Sequence, residues 1–144
     1  HIDFGTIEFR ICDAQRSLSN IEMLSALAQA LVYQAVEDYN SNTLLESFNM
    51  EYLYDGLWKA CRFPFNVKMI DPESLTVCTL ANQVNKMKLY IQEALIFWGN
   101  QHINEQIDFI LENGTEGDDQ LKIYDDSGFQ ALRQHLMHSV DYNN

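Results

Sequence analysis

Glu8 and Arg10 stand two residues apart in "GTIEFR", residues 5–10, inside an otherwise apolar stretch. Ile7, Phe9 and Ile11 alternate with Thr6, Glu8 and Arg10, the period-two pattern of a half-buried strand. At a rise of about 3.3 Å per residue, the two charged side chains emerge from one face roughly 6.6 Å apart. Such a pair could share work on a phosphate. The carboxylate is a hard oxygen ligand for magnesium, and the guanidinium is a planar fork for phosphoryl oxygens. A solvated strand face with a weak same-face ion pair has the same pattern, and alternation alone favours that plainer reading.

The other reactive residue types give weaker signals. His135 and His138 are three apart near the C-terminal end, a spacing open to a metal but commoner for exposed helix histidines, and His102 reads as surface. Cys61 beside Arg62 reads as a structural thiol rather than an activated one. Glu116, Asp118 and Asp119 lack the ligand ladder of a calcium loop and read as a solvated turn. No nucleophile elbow, dinucleotide fingerprint or P-loop occurs.

The expected elements follow from the pattern. A strand over about residues 4–12 carries Glu8 and Arg10, and no hairpin partner follows it. A lone strand cannot satisfy its backbone groups, so its sheet partners are expected outside this chain, which then reads as the C-terminal piece of a larger protein. Ser19 and Glu22 form a capping-box signature ahead of an apolar stripe at Ile21, Leu24, Leu27, Ala28, Leu31, Val32 and Ala35. A second helical stretch breaks near Asn49, and Pro64 and Pro72 bracket a loop. A long amphipathic helix is expected from about Thr79 to Trp98, ended by Gly99. A shorter helix follows with Gly114 as a left-handed cap, and a last helix carries Phe129, Leu132, Leu136 and Val140. The helical region runs to about residue 140, and the class is α+β.

With 144 residues, the chain suits one domain with a real core. Its 21 acids against 9 bases give a net charge of −12, which disfavours nucleic acid and anionic membranes as partners. The three cysteines, Cys12, Cys61 and Cys78, are widely spaced and form no CxxC pair, which fits reduced thiols in the cytoplasm. No apolar run reaches membrane-spanning length.

The stretch "HIDFGTIEFRICDAQRSLSNIEMLSALAQALV" resembles the C-terminal region of the bacterial and plant-type glutamate–cysteine ligase / carboxylate–amine ligase family. That region reads H-x-x-(F/L)-G-T-(I/L)-E-(V/F/I)-R, followed by an amphipathic helix. "LWKACRFPFNVKMID" and "ILENGTEGDDQLKIY" are similar to two further family stretches, in the same order, so the likeness covers nearly the whole chain. The resemblance implies that residues 1–144 are the C-terminal portion of one ligase catalytic domain of glutamine-synthetase-like fold, with the strand at about 4–12 completing an antiparallel sheet. It implies ATP-dependent joining of a carboxylate to an amine through an acyl phosphate, most simply glutamate to cysteine in glutathione biosynthesis, with ATP and magnesium or manganese. By position, Glu8 takes the metal-ligand place and Arg10 the catalytic, phosphate- or substrate-binding place. Arg62 and Gln120 match residues of the later motifs, as substrate- or nucleotide-binding candidates.

The chain departs from the family pattern at Asp55, Gly56, Pro64 and Asp119, which puts the outer substrate pocket in question more than the metal platform. The expected partners are glutamate, an amine, ATP and the rest of the ligase, in a homo-oligomer, and the chain alone is expected to be inactive. Two alternatives stand beside this reading: a ligase of the same fold with another amine acceptor, and a non-catalytic acidic helical subunit that docks on a partner.

Overall fold

The central contact is made by small residues. Ala26 and Ala30 of α1 (Leu18–Asn40), with Met23, form a buried face against Ile91, Ala94 and Leu95 and against Ile103 and Ile107. Alanine lets helices approach closely, and branched side chains from the partners fill the interface. The computed structural model describes Asp3, residues 5–43 and residues 49–137. Its further elements are α2 (Met50–Ala60), β1 (Lys68–Ile70), β2 (Val77–Thr79), α3 (Leu80–Tyr90), α4 (Gln92–Trp98), α5 (Ile103–Asn113) and α6 (Glu116–Met137). The class is α+β and mostly helical, with α4 and α5 packed on α1.

The two short strands pair antiparallel, with Met69 opposite Cys78, and β1 lies where sequence reading placed a loop between Pro64 and Pro72. Asp71 holds the turn. Its Oδ1 accepts from Glu73 N at 2.9 Å and its backbone N–H donates to Thr76 O at 2.9 Å. Lys86 of α3 donates to Asp71 Oδ2 at 2.9 Å and also reaches Glu73. Asp71 is buried, and the Lys86 hydrogen bond outweighs the cost of burial, holding its carboxyl down at about 2. Lys86 is raised in turn, first by Glu73 and then by Asp71.

Several expectations need correction. Residues 6–10 carry no strand pairing among the described residues, so the strand expected over about 4–12 is absent there. A strand needs a backbone partner, and the sheet that does form pairs β1 only with β2. The helix at Leu18 takes Ser17 as its N-cap residue without a side-chain cap, and the Ser19–Glu22 box does not form; Glu22 reaches His102 instead, at 3.0 Å. The expected helix over 79–98 is two helices meeting at Ile91, whose φ −94° and ψ 4° interrupt the α conformation. Gly99 does close α4 in the left-handed conformation, at φ 70° and ψ 23°. Gly114 has positive φ but an extended ψ of 177°, so it ends α5 without a left-handed cap.

The supposed acidic turn is the start of α6. Thr115 N donates to Asp118 Oδ2 at 2.7 Å, and Asp118 N donates back to Thr115 Oγ1 at 3.3 Å. α6 kinks at Gly128, which has φ 76° and ψ 180°. Asn49, expected at a break, caps α2 by accepting from Glu51 N at 2.9 Å. Val140 and His138 lie outside the described residues.

Leu95→Ala should destabilise the chain by about 2–5 kcal/mol, because Leu95 is only 1% exposed and its cavity is walled by three helices. Urea unfolding measures this. Asp71 should also appear as an acid-sensitive element. Its folded pKa is depressed, so its contribution is complete above about 3.8 and is lost as pH falls through about 2. Asp71→Asn should cost on the order of 1–2 kcal/mol at pH 7, discounted for the half-exposed Lys86, and the gap should close towards pH 2. Unfolding curves of both proteins across that range test it.

Candidate functional site

The segment carrying Glu8 and Arg10 lies over α1. Ile7 and Phe9 share a shallow apolar groove with Leu31, Val32 and Tyr39, while Phe9 and Cys12 share another with Leu24 and Ala28. The apolar stripe read from the α1 sequence is shared: Leu24, Leu27 and Leu31 pack against the core, while Ala28, Val32 and the outer edges of Leu24 and Leu31 turn to this segment. The deeper core uses Met23, Ala26 and Ala30. Coverage is partial: Ile7 is 71% exposed and Ile11 78%.

Glu8 and Arg10 do emerge together. Arg10 Nη2 donates to Glu8 Oε2 at 2.8 Å, and both side chains are open to solvent. No set of three or more His, Cys, Asp or Glu residues able to hold a metal exists among the described residues. Glu8 alone is not a complete metal site within these residues.

The other expected site residues lie on separate elements. The Arg62 guanidinium sits 5.3 Å from the centroid of the Trp58 ring, which also packs edge-on against Phe63. Gln120 is half-buried in the first turns of α6. Among the described residues, no hydrogen bond or ion pair joins Glu8 or Arg10 to Arg62 or Gln120. Of the departures from the family pattern, Asp55 pairs with Lys59 at 2.6 Å, and Gly56 is buried against Met69. Pro64 accepts from Val67 N in the turn after α2. Cys12 and Cys61 are exposed rather than structural thiols, and Cys78 is half-buried.

A second arrangement was not expected. A cleft of about 470 Å³ lies between the start of α1, α5 and both arms of α6. Arg16 joins its walls. Arg16 Nη1 lies 2.5 Å from His135 Nε2, and since a guanidinium only donates, that imidazole nitrogen accepts. Arg16 Nε is 3.6 Å from Glu116 Oε1, and Arg16 N donates to Glu116 Oε2 at 3.4 Å. One residue thus holds both ends of α6, which the Gly128 kink allows. Gln106 donates to Asn20 at 2.9 Å across the floor. Residues 16, 20, 106, 116 and 135 share no spacing signal; the Thr115–Asp118 box and Gly128 were the only cues to how α6 lies.

The family model for glutamate-cysteine ligase family 2 (GCS2) matches residues 2–139. The chain belongs to that family. Among curated proteins it is similar to several named "Putative glutamate--cysteine ligase 2". The one from Sorangium cellulosum is 29% identical over 86% of this chain and 33% of its own length. That from Solibacter usitatus is 25% identical over 99% and 37%. That from Gloeobacter violaceus is 30% identical over 88% and 34%. The chain therefore spans about a third of the length of the curated relatives it matches. No solved structure matches it. No helix among the described residues is long and apolar enough to cross a membrane.

The Glu8–Arg10 pair should contribute little to folding. A double-mutant cycle with Glu8→Gln and Arg10→Gln is expected to give a coupling of about 0–1 kcal/mol, since the pair is exposed. A larger coupling in denaturant unfolding would assign the pair to structure rather than to chemistry.

Proposed function

We propose that this chain is the C-terminal part of an ATP-dependent carboxylate–amine ligase that joins the γ-carboxylate of glutamate to an amine, with cysteine the simplest acceptor. The observation that carries this reading is the Glu8–Arg10 pair, displayed on one side of a segment whose other side rests on α1, within a chain that matches its family over residues 2–139. The part of the ligase outside this chain supplies the remaining strands of a glutamine-synthetase-like sheet, and residues 5–12 join it by backbone pairing. That pairing also covers Ile7 and Ile11.

ATP and magnesium, when bound, supply the phosphoryl group and offset its charge. Glu8 would hold the metal through one carboxylate oxygen. Arg10, released from Glu8, would present its planar fork to the phosphoryl oxygens as the phosphoryl group passes from ATP to the glutamate carboxylate, with ADP leaving. The amine would then attack the acyl carbon, phosphate would leave, and the amine would give up its proton. Arg62 and Gln120 bind substrate or nucleotide from the later elements, the first held in place by the Trp58 ring. The cytoplasm, where thiols stay reduced, suits a cysteine acceptor.

Steady-state kinetics on the full ligase tests the roles. Glu8→Gln should abolish turnover with an unchanged circular dichroism spectrum. Arg10→Lys should lower kcat by about 10²–10³, or about 2.7–4 kcal/mol, by analogy with the loss of an oxyanion donor. The Michaelis constant for glutamate should hold, because the contact strengthens in the transition state. A raised Michaelis constant with intact kcat would make Arg10 a ground-state clamp instead.

A further inference from the structure

We propose that the outward face of α2 is a docking surface, covered by an apolar surface of the ligase polypeptide that lies outside this chain. The helix is built inside out. Met50, Leu53, Tyr54, Leu57 and Trp58 recur at i, i+3, i+4, i+7 and i+8, the stripe that a surface helix normally turns to its core. All five are exposed, Tyr54 at 64% and Trp58 at 52%. The inward side carries Tyr52, Asp55, Gly56 and Lys59 instead, all buried or half-buried. Asp55 and Lys59 pair there at 2.6 Å, and Gly56 lets Met69 of β1 come close. β1 is the element on which α2 chiefly packs. A contiguous exposed apolar face of this kind marks an interaction surface.

The length of the relatives argues for the occupant. The matches take in 86–99% of this chain but only 33–37% of each relative, so about two-thirds of a ligase of that length lies outside it. The proposal rests on the ligase reading above for the existence of that further part, and not on the roles of Glu8 and Arg10. A second copy is a poorer fit. Each copy carries a net charge of −12, so two copies repel. One helix face is also well short of the roughly 20–30 residues a side of a standard interface between proteins. A segment of the same polypeptide is already tethered, loses little translational freedom on docking, and can cover a small patch. Arg62 stands at the rim of the face, 5.3 Å from the Trp58 ring centroid, so covering Trp58 sets Arg62 at the junction of the two parts.

Cys61 reports on this face, because it continues the stripe seven residues after Tyr54 and is exposed. In the native full-length ligase, N-ethylmaleimide should alkylate Cys61 at least about a hundredfold more slowly than in the same protein unfolded in urea, as read by peptide mass spectrometry. The protection should survive dilution over about two decades of concentration. Leu57→Asp should speed the alkylation of Cys61 at least about tenfold, since a carboxylate is costly to bury in an apolar contact. Circular dichroism checks that the variant is folded, and Leu57→Ser takes its place if it is not. Glu8→Gln should leave the protection intact. A protected Cys61 in a parent protein without ligase turnover supports the docking and overturns the ligase reading alone. The proposal is overturned if Cys61 of the native full-length protein reacts as fast as in the unfolded one, or if a folded Leu57 variant protects Cys61 as the parent does. It is also overturned if the protection disappears on dilution, which assigns the face to a second copy.

Discussion

The two-sidedness of α1 governs the rest of the structure. One face, built on Ala26 and Ala30, is packed against α4 and α5 and fixes the helix in place. The other side, with Ala28 and Val32 and the outer edges of Leu24 and Leu31, lines the grooves it shares with Ile7, Phe9 and Cys12. A helix apolar on two sides is stable in water only between two layers. Here one layer is packed, and the other, among the described residues, is a segment with no strand ladder. The position of Glu8 and Arg10 therefore depends on the α1 core at one remove: disturb Ala30 or Leu95, and the bed beneath Phe9 shifts.

Much of this was legible in the sequence, and the exceptions have physical causes. The alternation placed Ile7 and Phe9 towards α1, but it fails at the end of the segment, where Ile11 is exposed and Cys12 lines the groove instead. Strand hydrogen bonding requires a ladder, so the strand itself did not form without a partner. The stripe at Leu24, Leu27 and Leu31 does pack against the core, as its helical spacing suggested. The core proper uses alanines and Met23, whose small or flexible side chains give little periodic signal. At Ile91 no glycine or proline marks the break between α3 and α4, so nothing local could reveal it.

The hairpin was hidden for a related reason. Its strands are three residues each, too short for a period to register, and the turn is closed by Asp71 through contacts with Lys86 that lie 15 positions away in sequence. Local chemistry did reveal some boundaries. Asn49 and Gly99 act where their residue types suggest, as an N-cap and a left-handed cap. The family motifs located Glu8 and Arg10, whereas the Arg16 cleft escaped because it is assembled from residues spread between positions 16 and 135.

The charge of the chain bears on how a ligase could use such a pair. With 21 acids and 9 bases, the whole chain repels a polyphosphate at long range. At physiological ionic strength, though, exposed charges beyond about 8 Å are largely screened, so a phosphate near Arg10 responds chiefly to its neighbours. Its immediate partner is Glu8, and the two together are neutral. Arg10 attracts phosphate strongly only when the Glu8 charge is taken up by something else. Under the proposed ligase reading, a divalent cation would do that, converting a neutral ion pair into a cation bound to a carboxylate beside a guanidinium released for its anionic substrate. On that reading the contact between Glu8 and Arg10 is the resting arrangement of the pair. Metal and nucleotide would then bind together, because each would remove the other's penalty.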